Sequence, residues 1–308
     1  MLRGALCFWV VLAILPIEVG AGDSAVIRIG HNVDVIDLPL AAARKGGFFS
    51  KLGLEVEGVG RVPTHDLLLK GEVDCTVAAN ADRVLLLAQK GFAVKIIATI
   101  IDRHIQALVA RQDFPSERAS AELRGSVVAF ISITGGASVT AYHKVLERFK
   151  LESSSITPVQ LDPRSMIAAI QQKRALAGVI NSPHLHFARQ SGLKPLLDFS
   201  QDPYPFVVVA CRKDFLDRDP SIALKLLQGL QGAMSRIGQD KQFALEVLRS
   251  NFNISGEKDR EAVYESLVGA LSPDLSPRFI ELAKRESTLN VDPFSLVDTR
   301  YVEGMRRR

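Results

Sequence analysis

Hydrophobic and polar positions along this chain fall into short runs whose period switches repeatedly between two and about 3.6 residues. "AVIRIGHN" reads as a strand, "DLPLAAARKGGFFSKLG" as a helix capped by Asp37 and stopped by glycine, and "LEVEGVG" as a second strand. A short helix "THDLLLKG" follows, then strand "EVDCTVAA", helix "NADRVLLLAQKG" and strand "VKIIATI". The middle of the chain repeats this order. "SVVAFISI" is a strand, and "ASVTAYHKVLERFK" is a helix whose Tyr142, Val145, Leu146 and Phe149 share one face. Strand "ITPVQLD", helix "PRSMIAAIQQKR" capped by Asp162, strand "LAGVINS", helix "HLHFARQSG" and strand "LKPLLDFS" complete the second copy. Even the punctuation agrees, since "LLLAQKGFAVKIIA" matches "LHFARQSGLKPLLD" in pattern.

Two successive sets of alternating strands and helices predict two α/β lobes, each with a mostly parallel sheet flanked by helices. "QALVARQDF" (106–114) and "PFVVVACRKDF" (205–215) read as extended crossovers between them. The chain is helical afterwards, with one apolar stripe through Ala223, Leu226, Leu227, Leu230 and Met234 and another in "KQFALEVLRSNF". The expected division is therefore 26–106 plus 214–300 for the first lobe and 113–205 for the second. The crossovers act as hinges, 301–308 is a C-terminal tail, and its terminal arginines Arg306, Arg307 and Arg308 are a frayed, solvated end.

Composition sharpens this picture in three ways. A length of 308 residues exceeds one ordinary core, and 47% hydrophobic with 23% charged residues is globular rather than disordered. Arg3, the apolar run "ALCFWVVLAILP" and the small residues Val19 and Ala21 read as a secretory signal peptide over residues 1–21. An uncleaved anchor is the alternative, opposed by Pro16 and Glu18. Export of the protein follows. The formal charge is +4, of which three charges are the terminal Arg306, Arg307 and Arg308, so the body is nearly neutral and no basic face calls for nucleic acid. After processing only Cys75 and Cys211 remain, either as two buried thiols or as one disulfide.

"DLPLAAARKGGFF…GLEVE", "GEVDCTVAA", "KIIATI…ALVAR", "ELRGSVVAF…GGAS" and "PYPFVVVACRKDFLDRDP" together resemble the solute-binding proteins of ABC importers. The subfamily is the nitrate/sulfonate/taurine type (SsuA/NMT1-THI5-like), which includes binders related to thiamine-pyrimidine synthases. The resemblance runs through the mature chain to "FSLVDTRYVEGM". It implies a two-lobed periplasmic-binding fold of the second type, α/β in class. It further implies a periplasmic, monomeric protein without a cofactor that takes a small polar or anionic ligand to a membrane permease. The cleft loops match no single substrate class within the subfamily.

In open α/β sheets, ligands bind beyond the carboxyl ends of strands, where loops turn into helices. "ITGGAS" is such a place: Thr134, Gly135 and Gly136 allow close backbone approach, and a helix starting at Ala137 or Ser138 offers unpaired N–H groups. The bland alternative is a tight turn with Ser138 as cap. By the same pattern Asn32, Asp37, Asn80, Asn181 and Ser182 point to the cleft, although Asp37, Asn80 and Asn181-Ser182-Pro183 also suit plain helix capping. Arg103, beside His104, could clamp an acid near the mouth or stand as a solvated charge. Tyr204 could stack on a ligand or pack against the hinge.

Enzyme readings find little support. Neither a G-x-S-x-G elbow, a phosphate loop nor H-E-x-x-H occurs, and "GVGRVP" lacks the last glycine of a dinucleotide fingerprint. His184 and His186 point in different directions on a helix, so no metal site is expected. The same-fold competitor is the thiamine-pyrimidine synthase branch, which relies on a cysteine cluster that this chain lacks. A periplasmic sensor for a signalling partner is the third reading.

Overall fold

The computed structural model describes residues 25–32, 34–60, 64–201, 203–272, 274–275 and 292–306. The signal peptide expected over 1–21 lies outside them. In the first half β1 (Ala25–His31), α1 (Leu38–Lys45), β2 (Leu54–Gly60), α2 (Thr64–Leu69), β3 (Cys75–Ala79), α3 (Ala81–Gln89) and β4 (Val94–Arg103) follow the order read from the sequence. The second copy comprises β5 (Gln106–Arg111), α4 (Ala119–Leu123), β6 (Ser126–Phe130), α5 (Ala137–Arg148), β7 (Ile156–Gln160), α6 (Pro163–Gln171), β8 (Ala177–Asn181), α7 (His184–Gln190) and β9 (Leu193–Asp198). The chain then returns through β10 (Pro203–Arg212), α8 (Lys213–Arg218), α9 (Pro220–Gln239), α10 (Lys241–Phe252), α11 (Glu257–Val268) and α12 (Arg300–Arg306).

Two five-stranded sheets result, ordered β2-β1-β3-β10-β4 and β7-β6-β8-β5-β9. The two orders are the same design. In each, one strand runs against its neighbours: β10 is antiparallel to β3 and β4, and β5 is antiparallel to β8 and β9. Each antiparallel strand is the one that has just crossed from the other lobe. The segments 106–114 and 205–215, read as extended crossovers, are sheet strands over most of their length. The chain changes lobes at His104-Ile105 and between Asp198 and Pro203.

The sheets are mixed α/β layers of the expected class, covered on both faces. Ile27, Ile29, Ile97 and Val209 pack with the stripe Leu226, Leu227, Leu230 and Met234 of α9, while Val84, Leu87 and Val208 form a core on the other face. Phe130, Val145 and Leu108 fill one face of the second sheet, and Met166, Ile170 and Ile180 the other. Burial on both faces explains why the strands read as nearly continuous apolar runs.

Three local details bear on what the sequence suggested. Asp162 does cap α6, accepting from the amides of Arg164 and Ser165, but Asp37 makes no capping hydrogen bond to α1. The segment 301–308, expected as a C-terminal tail, begins in α12, where Tyr301 and Val302 are buried and the Tyr301 hydroxyl donates to the Leu216 carbonyl at 3.3 Å; of the arginine end expected to fray, Arg307 and Arg308 lie outside the described residues. Cys75 and Cys211, opposed on β3 and β10, form a disulfide.

Candidate functional site

A cavity of about 300 Å³ lies between the lobes. Its walls are the carboxyl ends of the parallel strands: Asn32 after β1, Asn80 after β3, Ile131 and Ser132 after β6, and Asn181 at the end of β8. The antiparallel strands add their amino ends at the same edge, which brings in Gln106 of β5 and Phe206 of β10. An antiparallel strand placed within a parallel sheet contributes the opposite end of its sequence to the binding edge.

Gly135, Ala137 and Ser138 line the cavity from the second lobe. Gly136 is the N-cap of α5, with φ 75° and no side-chain capping bond. That left-handed backbone favours glycine. A Cβ there would also sit 3.1 Å from Asn80 Oδ1, so the two lobes approach closely at this point. The Val139 amide bonds back to the Gly136 carbonyl at 2.9 Å, and with no side chain capping them the Ala137 and Ser138 amides are left for an acceptor from the cavity.

Asn80 begins α3 without capping it. Its amide nitrogen donates to the Phe206 carbonyl instead, tying α3 to β10. One turn on, the Arg83 guanidinium spans the gap, donating to Ser132 Oγ and to the Gly135 carbonyl, each at 3.3 Å. Beside it Asp82 accepts from Tyr204 and from Thr140 Oγ1, the latter at 3.0 Å. Thr140 belongs to α5, so this is a second bond between lobes. Burial raises the proton affinity of Asp82, against the pull of the Tyr204 and Thr140 hydroxyls.

At the other end Asp34 enters from the loop after β1 and accepts from the Val35 amide at 2.6 Å. Burial pushes its carboxyl up, and His184 of the second lobe and Asp37 are the charges that act on it. Burial also holds His184 below the ordinary imidazole range, which favours its neutral form. Gln106 Oε1 and Asn181 Oδ1 are buried here without a hydrogen bond, although Gln106 lies near enough to the His104 ring to favour its protonated form. Gln106 and Asn181 are register partners on β5 and β8, so they face the same way.

The structure thus gathers Asn32, Asn80, Gly135, Ala137, Ser138 and Asn181 around one cavity. Asp37 is elsewhere, buried against His31 Nδ1 at 3.1 Å. Thr134 does not line the cavity; its amide donates to Ser132 Oγ. Arg103 and Ser182 line a different cavity of about 310 Å³, formed by the first crossover, α7 and α11. Tyr204 packs beside the first crossover: it is 1% exposed and stacks on His104 with ring centroids 4.1 Å apart. Among the lining residues that the sequence did not single out are Asp34, Arg83, Gln106, Ser132 and Phe206, with Thr64 and His65 at the start of α2. Of these, only Asp34 had a local signal, being a strand-end acid in "HNVDVID".

Among the described residues no group of three or more His, Cys, Asp or Glu side chains could hold a metal ion, and no helix is long and apolar enough to cross a membrane.

Comparison with known proteins follows the same lines. The family model described as NMT1/THI5 like matches residues 37–240. The periplasmic aliphatic sulphonate binding protein SsuA from Escherichia coli superposes with a TM-score of 0.75 at 15% identity, covering 91% of this chain and 99% of that one. The periplasmic nitrate-binding protein NrtA from Synechocystis PCC 6803 gives 0.62 at 18% identity, covering 80% and 69%. The desulfurization enzyme DSZB gives 0.68 at 12% identity, covering 92% and 100%. Among curated protein sequences there is no match. At these identities the likeness shows the fold, that of type II periplasmic binding proteins.

Proposed function

The chain belongs to the NMT1/THI5-like family, and on that premise we propose that it is the extracytoplasmic solute-binding subunit of an ABC importer. It would capture a small polar or anionic solute between its lobes and deliver it to a membrane permease. One observation carries this reading: the interlobe cavity is walled by both lobes at the binding edges of both sheets, and bonds from Arg83 and Asp82 span it. A solute touching both walls favours the closed arrangement by its differential affinity for it. The SsuA and NrtA likenesses, and the export implied by residues 1–21, support the same assignment.

The energy available suits a transport binder. An acidic group at the α5 amides gains about 0.3–1 kcal/mol. Each charge-assisted bond, such as one from Arg83, adds about 1.5–3 kcal/mol. Three or four such contacts reach roughly micromolar affinity after the ordering cost.

The test is a thermal-shift screen of sulfonates, carboxylates, amines, pyrimidines and nitrate, joined to native mass spectrometry of protein purified from its own compartment. A retained mass or a clear shift with one small solute is expected. Turnover of a bound compound would favour the enzyme reading on this fold, as in DSZB. No bound mass and no shift across the panel would overturn the binding reading.

A further inference from the structure

The edge of the second sheet opposite the interlobe cavity is where β6, β7, β8 and β9 begin and the antiparallel β5 ends, with Ala110 beside Ala177 and Arg111 beside Leu193. The turns there, with the strand ends Arg111 and Lys194, carry six cations: Arg111, Arg124, Lys150, Lys173, Arg174 and Lys194. Only two acids, Asp113 and Glu152, stand against them. The helical segments leading into these turns balance, with Arg118, Arg148 and Arg189 against Glu117, Glu122 and Glu147. A chain whose body is nearly neutral thus concentrates positive charge at one pole. Two of the six cations also occupy unfavourable backbone sites. Lys150 and Lys173 each follow the C-cap of a helix, α5 and α6, with φ of 51° and 60°. The same position after α3 and α7 is Gly91 and Gly192, because glycine takes that left-handed backbone freely. The helix dipole favours a cation anywhere in the last turn, so it does not by itself call for lysine at this site.

Three of the cations converge. Arg111, Lys173 and Arg174 line one cavity of about 330 Å³ together with Ser126, and no carboxylate among the described residues lines it. Arg111 Nε donates to Asp113 Oδ1 at 3.1 Å, and Arg174 Nε donates to Gln172 Oε1 at 3.0 Å. Each guanidinium is therefore held at one corner with its terminal nitrogens still available. The Lys173 ammonium has no partner among the described residues. We propose that this pole rests on an anionic membrane surface, with a phospholipid phosphate seated between Arg111, Lys173 and Arg174. A phosphodiester carries one negative charge and acceptor oxygens, which two fixed guanidinium forks and an ammonium match. Arg124, Lys150 and Lys194 lie in the field of the same surface, where each cation improves binding about fivefold. The importer reading supplies only the nearby membrane; the charge and the cavity stand apart from it. Contact at this edge leaves the cavity between the lobes uncovered for its solute.

Vesicle sedimentation with protein purified from its own compartment tests this. At about 0.05 M salt the protein should bind vesicles of phosphatidylcholine with about 30 mol% phosphatidylglycerol, and release from them at about 0.5 M salt. Vesicles of phosphatidylcholine alone should leave it in solution. Lys173→Gln with Arg174→Gln, both on an exposed turn, should weaken the partition about 25-fold without changing the melting temperature. The charge-matched pair Arg306→Gln with Arg307→Gln, in the other basic stretch, should stay within about twofold of the wild type. No binding to the anionic vesicles, equal binding to phosphatidylcholine alone, or an equal loss in both double variants overturns the proposal. So does inorganic phosphate that binds in titration, and is lost in Lys173→Gln with Arg174→Gln, while vesicles stay unbound; that result puts a free anion at the pole. The solute-binding reading stands or falls separately, on the thermal-shift screen and the native mass.

Discussion

His104 sits at the first crossover, fully buried, stacked on Tyr204 and tilted against Phe199, and neither ring nitrogen forms a hydrogen bond of good geometry. Burial, with help from the Lys144 charge, lowers its pKa to about 3. In the unfolded chain it would titrate near 6.5. Between these values the unfolded state binds a proton that the folded state refuses, so stability falls as pH falls from about 6.5 toward 3. From pH 7 to pH 5 the loss works out at about 2 kcal/mol, or about 1.4 kcal/mol per pH unit once below the unfolded value. Other carboxylates and histidines titrate in the same range, so the wild-type curve alone does not isolate this term. His104→Phe does, because phenylalanine retains an aromatic surface for Tyr204 and cannot take the proton. Urea unfolding of both proteins at pH 7 and pH 5 gives the double difference, and the variant should gain about 2 kcal/mol on the wild type over that interval. Parallel curves, with no gain, would refute the claim that a neutral imidazole is locked at the first crossover.

Gly136→Val forces a β-branched residue into φ 75° and drives its Cβ toward Asn80 Oδ1, so solute affinity should vanish in titration calorimetry while the protein still melts cooperatively. Unchanged affinity would remove the α5 amides from the site. Thr140→Val deletes a hydroxyl that bonds Asp82 across the lobes, and should weaken binding by about 1–3 kcal/mol while barely altering a lobe's own packing. The Cys75–Cys211 bridge closes a loop of 136 residues that contains the entire second lobe. Replacing both cysteines by alanine should cost up to about 5 kcal/mol in urea unfolding on the chain-entropy estimate, and no loss would show that the β3–β10 pairing holds without it.

Hydrophobic rhythm was enough to place nearly every strand and helix, because strands covered on both faces and helices with one apolar stripe have little freedom in what they show. The disulfide was one of two open options until β3 and β10 were seen side by side. Loop positions such as Asn32, Asn80 and Asn181 could be aligned with a cavity edge, since the rule about strand ends applies to any parallel sheet. Gln106 and Phe206 escaped because that rule reverses for the antiparallel strand in each sheet. Arg83 escaped for a different reason: within "NADRVLLLAQKG" it is simply a polar helix position, and only the approach of the 132–135 loop gives it a partner. Tyr204 and Asp37 had the right residue types at plausible places. Their side chains turn inward, to His104 and Asp82 in one case and to His31 in the other.

The crossovers also divide the interlobe contacts into two sets, which bears on how a solute could control closure. Gln106 lines both cavities, so the first crossover stands between them. On the solute side the lobes are joined by Arg83 to the 132–135 loop and by Asp82 to Thr140. On the other, α7 meets α11 through His186 and Asp259 at 2.9 Å, and Ser182, just before α7, meets Ser266 of α11 through their hydroxyls. The His186–Asp259 pair is partly open to water, at 23% and 30% side-chain exposure, and such pairs contribute about 0–1 kcal/mol. The Thr140 bond to buried Asp82 belongs to the stronger set, but it forms only while α3 and α5 are together, whereas the Tyr204 bond to Asp82 lies within one lobe. Both sets are present together in this structure, and separating α3 from α5 would remove the Arg83 and Thr140 bonds, charge-assisted contacts of about 1.5–3 kcal/mol each. A solute that adds two or three charge-assisted bonds across the cavity supplies a differential of that order, enough to move the lobes from a mixed population to a closed one.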